Sequence, residues 1–480
     1  MPTVEPKKLM QSLLNKLYEV ITGSIEDMPV DNDNYVTWIT PGIPFKQDFF
    51  DFASLPITSA SAEDRASLAR RYADNANAWA ILSNFVPSGQ PLLMSPDFRQ
   101  AIYHTSQELL WNIFDETLRM SKVAVAQLSE EEKAKVERYR NLLSVKKEKE
   151  NLVTGEKQQV TEDGPVYIAY KQKQQAYLAA AFKYKSAQIS FNNAESTEAV
   201  NEFRFMGNEL RQAVRTAYDD WVTNGYKNEV EQMIAYIDQV TQRDMASIKA
   251  DIQDKFRAGL QTGSNGDFYY TSVIPGDFMN STGWSKFEFS EGSYSSYSRE
   301  DSSAWQGNAG FDLGFWSSGG NMNSSTASSY ASFDSNGFTI KFEITQVPIA
   351  RGWFDPGFII GKGWKWSGEY TGENLSNGEI PPSGRLVAYP TAALFVRKVL
   401  INSNSFQSDR STYENHLNSG GSIGWGPFSI GGNYSRNEAN GRSSWHFDNE
   451  GLHIDDLQLI GFICRFTGKA PNPSDRAQFD

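Results

Sequence analysis

Apolar residues recur at helical spacing through the first half of the chain and alternate through the second. Leu9, Leu13, Leu17 and Val20 share one helical face, with Met10, Leu14 and Ile21 beside them and Gly23 as a C-cap. This predicts a first helix that packs on a core or a partner. Residues 24–58 mix Pro and Gly with polar residues and predict an extended, irregular connection. A second helix is predicted over 62–84. A third is predicted from Ser95-Pro96-Asp97, with Ile102, Leu109, Ile113 and Leu118 on its apolar face. A fourth starts at the capping-box pattern Ser129-Glu130-Glu131-Glu132.

The stretch ENLVTGEKQQVTEDGP (150–165) breaks the helical pattern and is a candidate β-tongue. Pro165 then opens a tyrosine-rich helix, and 197–258 reads as a further helical stretch broken at Asn224-Gly225. Unbroken, that stretch would approach ~90 Å at about 1.5 Å per residue. Such a length suits an elongated antiparallel bundle.

Past 259–266 the chain turns to Gly, Ser, Asn and aromatics. FDSNGFTI (333–340) recurs as FDNEGLHI (447–454), and GFDLGFWSSGGN (310–321) parallels GWGPFSIGGN (424–433). The two copies predict a duplicated unit of roughly four strands, over 284–349 and 394–463. Short turns rich in Gly, Ser and Asn favour antiparallel pairing. The fold class expected is α+β: an elongated N-terminal antiparallel helical bundle followed by an antiparallel β-sandwich or barrel. The divisions expected are an N-terminal helix and connection (1–60), a helical domain (61–262), the duplicated β domain (263–470) and a tail (471–480).

A formal charge of −13 argues against a surface devoted to phosphates, and no nucleic-acid partner is expected. The single cysteine, Cys464, excludes an intrachain disulfide and sits in a strand-like context as a structural thiol. The first residues lack a Sec-type apolar region and cleavage site, and no stretch is apolar enough to span a bilayer. Cytoplasmic synthesis is expected, with release by lysis or a specialised secretion route.

The strongest metal candidates are His446, Asp448, Glu450 and His453, two of them drawn from a total of four histidines. They match neither a zincin helix, nor a zinc-finger spacing, nor an EF-hand loop. The first copy, FDSNGFTI, lacks both histidines and the Glu. What the copies share, Asp334 with Gly337 and Asp448 with Gly451, is what a tight turn needs. Both copies are therefore read as turns, with no metal or cofactor expected. Trp353, Phe354, Phe358, Trp364 and Trp366 crowd the segment between the units. They predict either an aromatic plug closing the sheet or an exposed docking loop.

No nucleophile elbow, phosphate loop or dinucleotide fingerprint appears, and no catalytic residue is expected. The expected function is non-enzymatic: a self-assembling or partner-binding structural protein, as a homo-oligomer or with a protein partner. The alternatives are a pore-forming, membrane-acting toxin using 320–333, and a carbohydrate binder whose Trp364 and Trp366 stack on glycans.

Overall fold

The computed structural model describes residues 6–22, 33–54, 62–88, 92–94, 99–124, 130–150, 157–192, 197–241, 245–264, 266–292, 294, 315–318, 336–368, 370, 374–431, 444–475, 477 and 479. At its centre is a ten-stranded mixed sheet. Its strands are β1 (Asn34–Phe45), β2 (Leu92–Met94), β3 (Arg99–Ile102), β4 (Ser272–Val273), β5 (Ser285–Ser290), β6 (Thr339–Ala350), β7 (Ala388–Asn402), β8 (Trp445–Phe447), β9 (Leu452–Ile454) and β10 (Leu457–Phe466). The order is β4-β6-β7-β10-β1-β3-β2, with β5 beside β6 and the β8–β9 hairpin joined to β7 through β9. The pair β1–β3 is parallel, with Val36 opposite Gln100 and Trp38 opposite Ile102.

The helices are α1 (Pro6–Thr22), α2 (Ala62–Asn84), α3 (Leu110–Met120), α4 (Glu130–Leu143), α5 (Pro165–Asn192), α6 (Thr197–Thr223), α7 (Lys227–Thr241), α8 (Met245–Ala258), α9 (Pro356–Ile360), α10 (Asn404–Ser408) and α11 (Arg410–Asn418). The expected bundle and separate sandwich or barrel do not form; the fold is mixed α/β around one sheet. Helical periodicity marks the apolar stripe of each helix but not the layer that covers it. The stripe of α1 lies in the same core as Val396, Ile401 and Ile460 of the sheet. The other face of the sheet is covered by Trp79 of α2 and by Phe50 and Phe278, which pack on Phe395.

Residues 34–45, expected to be part of a connection, form an interior strand. Tyr35, Ile39 and Phe45 face one core while Val36 and Trp38 face the other. The prolines and glycine that argued against a strand fall around a break in register between Trp38 and Ile43. Gly42 is required there, because a Cβ would meet the Pro427 carbonyl oxygen at 2.1 Å. The third predicted helix is also corrected. Its predicted start, 95–98, lies outside the described residues, 99–102 form strand β3, and the helix begins only at Leu110.

The duplicated units do not build two sheets. β5 and β6 from the first lie side by side with β7 to β10 from the second in one. Phe315–Ser318 of the first pairs with Ser422–Trp425 of the second, and Phe428–Gly431 completes that three-stranded sheet. The strands after the two turn glycines flank the same strand, since Ile340 and Leu452 both pair with Ile401. A hairpin of Ser144–Glu150 with Lys157–Asp163 projects between α4 and α5.

Directional side-chain bonds, buried or part-buried, tie these layers. Trp38 Nε1 donates to Gln100 Oε1 at 2.7 Å, and Gln100 Nε2 donates to Asn15 Oδ1 of α1 at 2.8 Å. Gln458 accepts from Ser429 N at 3.0 Å and donates to Ser429 O at 2.6 Å, locking the small sheet to β10. Arg351 joins the end of α2 to β7, donating to Asn84 Oδ1 at 2.5 Å, Pro390 O at 2.6 Å and Ser83 O at 2.7 Å. Desolvation lowers its guanidinium to about 10, still charged at neutral pH. Arg351→Met would leave these acceptors without their donor. We expect a loss of about 3 kcal/mol in urea unfolding. An unchanged midpoint would show that the three bonds carry no net stability.

Candidate metal centre

The β8–β9 hairpin follows from alternation. Phe447 is buried against Leu452 and Ile454, so the intervening His446 and His453 face outward. They are direct cross-strand partners, and their rings stack with centroids 4.4 Å apart and planes at 5°. The turn adds the carboxylate. Asp448 Oδ1 accepts the amides of Glu450 at 2.7 Å and Gly451 at 3.1 Å, while Gly451 takes a φ of +143°. This bond pattern holds the same carboxylate 3.0 Å from His453 Nε2.

His446, Asp448 and His453 thus offer three donor atoms within 4.8 Å of one another. His453 Nε2 is buried and lacks a well-directed hydrogen bond, although its distance to Asp448 is short. Asp455 Oδ2 lies 3.5 Å from His446 Nδ1. Glu450, the fourth sequence candidate, is exposed and contributes only its amide to the turn. Burial pushes the Asp448 carboxyl up, but the Glu450 and Gly451 amides and the nearby His453 outweigh it, and the net displacement is downward.

Gly337 takes a φ of +68° in the first turn, where its amide donates to Glu291 Oε2 at 3.1 Å. Asp334 and the 320–333 stretch lie outside the described residues.

The aromatic segment is interior. Trp353, Phe358 and Trp364 are buried, and Phe354 and Trp366 are half-buried. Phe358 stacks on Trp364 at 5.8 Å, and Trp364 Nε1 donates to Ile359 O at 3.1 Å. Trp353 lies against Phe114 of α3 and Phe256 of α8. The strand Trp364–Trp366 pairs with Ser121–Val123, which directly follows α3. Trp364 therefore has no face free for a sugar ring, and the segment is not an exposed loop.

One polar cluster gives no sequence signal, because its members are far apart in the chain. Arg385 Nη2 contacts Glu108 Oε2 at 2.7 Å and its Nη1 contacts Glu116 Oε2 at 2.9 Å. The Tyr370 hydroxyl donates to Glu116 Oε1. Bonds to Glu108, then to Glu116, hold the guanidinium above its usual range. Both carboxylates are engaged by one cation, which makes the group a clamp between α3 and the loop before β7. Burial pushes the Cys464 thiol well above its usual range, so no thiolate nucleophile is available there. Among the described residues, no helix is long and apolar enough to cross a membrane. The chain matches no protein-family model, no curated protein sequence and no solved structure.

Two outcomes separate these roles. Trp364→Ala is expected to cost roughly 3–5 kcal/mol in urea unfolding, as for a core aromatic. A docking residue would leave stability unchanged. For Asp448, the folded pKa is depressed, so its charge stabilises the hairpin above the ordinary carboxylate range. That contribution is lost as pH falls through the folded value. Asp448→Asn should lower the Tm at neutral pH, and the gap to wild type should narrow in acid. A gap independent of pH would show that the charge is not involved.

Proposed function

We propose that this chain is a non-enzymatic, self-assembling structural protein whose copies meet through α5. One observation carries the reading. The outward face of α5 from Ile168 to Ala179 carries Ile168, Gln172, Gln175, Ala176 and Ala179, all exposed and uncharged, bordered by Lys171 and Lys173, which are each paired with an aspartate. The residues Ile168, Gln172, Gln175 and Ala179 follow the helical repeat, so they form one stripe.

The inner side of α5 is occupied. Ala181 and Tyr184 pack with Leu210 and Val214 of α6, and Phe182 reaches the core that contains α1. The rings of Tyr177 and Trp221 stack at 5.6 Å, while Arg211 Nη2 donates to the Tyr184 hydroxyl at 3.3 Å, which makes the two helices an antiparallel pair. The stripe is therefore surplus to the internal packing of the chain.

Its chemistry favours a second copy as occupant. Copies of a chain with a formal charge of −13 repel one another, and a contact made through an uncharged stripe limits that cost. The centre of a stable interface is depleted in charge. A two-fold contact would set the same stripe against itself.

Light scattering coupled to size-exclusion chromatography tests this on the full chain across a concentration series. A mass above the monomer is expected, returning to the monomer in the double variant Ala176→Glu, Ala179→Glu. Both positions are exposed, and the helix-propensity cost is only a few tenths of a kcal/mol each. A wild-type chain that stays monomeric, or a variant that assembles equally well, would overturn the reading.

A further inference from the structure

We propose that His446, Asp448 and His453 bind a late first-row transition-metal dication, Zn²⁺ foremost, at the outer face of the β8–β9 hairpin. The proposal is independent of assembly through α5.

Three observations converge. The first is proximity: the three donors lie within 4.8 Å of one another. Zinc bonds of about 2.0–2.1 Å place neighbouring tetrahedral donors about 3.4 Å apart. The Asp448–His453 pair, at 3.0 Å, is already inside that spacing. The widest pair has to close by little more than about 1 Å on the same geometry. The stacked rings point their lone pairs side by side rather than at a common centre. One ring must therefore turn, and the exposed His446 is the one able to do so, since the terminal torsion of histidine is broad.

The second is the state of the donors. His453 Nε2 is buried without a directed hydrogen bond. β9 pairs on both sides, with β7 and β8, and so holds its backbone fixed. The turn amides and His453 all address Asp448 Oδ1, which leaves Oδ2 as the oxygen to ligate. Asp455 beside His446 Nδ1 can accept a proton from that nitrogen and leave Nε2 for the metal.

The third is the comparison within the chain. The Phe-Asp-x-x-Gly frame occurs twice, and the strands after its two glycines, β6 and β9, both pair with β7. The first has Ser332 and Thr339 where the second has His446 and His453. The turn itself uses Asp448 and Gly451, so the histidine pair is not required for its geometry.

Two imidazoles and one carboxylate select against Ca²⁺ and Mg²⁺, which take oxygen shells. Three protein donors also leave a fourth position open to water or another ligand.

Calorimetric titration of Zn²⁺ into the EDTA-stripped full chain is the test. One ion per chain is expected. His446→Ala and His453→Asn should each weaken binding by tenfold or more, Glu450→Ala should leave it within twofold, and Ca²⁺ and Mg²⁺ should give no heat. Because His446 is exposed, its variant should retain the wild-type Tm. Co²⁺ bound at the same site should give a visible absorption that the His446 variant loses. Absence of Zn²⁺ binding to the wild-type chain, or binding undiminished in both histidine variants, would overturn the proposal.

Discussion

Strand β7 has neither a free edge nor a free face over its middle. β6 pairs along one side, and β10 and then β9 along the other. Ala392 to Val396 are all buried, with Leu394 and Val396 in one core and Ala393 and Phe395 in the other. A strand in this position must be apolar on both faces, as AALFV is. The two-sided cover explains why helices from the first half of the chain pack on strands from the second. It also sets the address of the hairpin, since β9 continues along the edge of β7 where β10 ends.

Apolar burial brings these layers together but does not choose their register. Gln100 and Gln458 do so with buried amide groups that find partners only in one alignment. Arg351 performs the same task between α2 and β7.

Much of the local structure was legible. The apolar spacing of Leu9, Leu13 and Leu17 marks α1, and the capping-box pattern precedes α4. Asp and Gly in HFDNEGLHI mark the turn, whereas the pairing of its two histidines across the strands comes from the register. Long-range pairing was not legible, because Tyr35 and Cys464 meet through backbone bonds that carry no local signature. Pro and Gly in ITPGIPF concealed β1, since composition does not reveal that a bulge absorbs them. The spacing of Ile102 and Leu109 imitated a helix although they lie on different strands. At the site, the sequence names the donors, but the distance from Asp448 to His453 is set by the turn's own hydrogen bonds.

The placement of β1 has a consequence for how the chain is made. Its hydrogen-bonded partner on one side is β10, where Asn34 meets Arg465 and Phe45 meets Leu457. Synthesis runs from the N-terminus, so β1 emerges long before the strand it pairs with. Until then Trp38 and Ile39 have no completed sheet to enter, and α1 has no finished floor. Closure of the central sheet consequently cannot precede the synthesis of β10, however early β1 has left the ribosome.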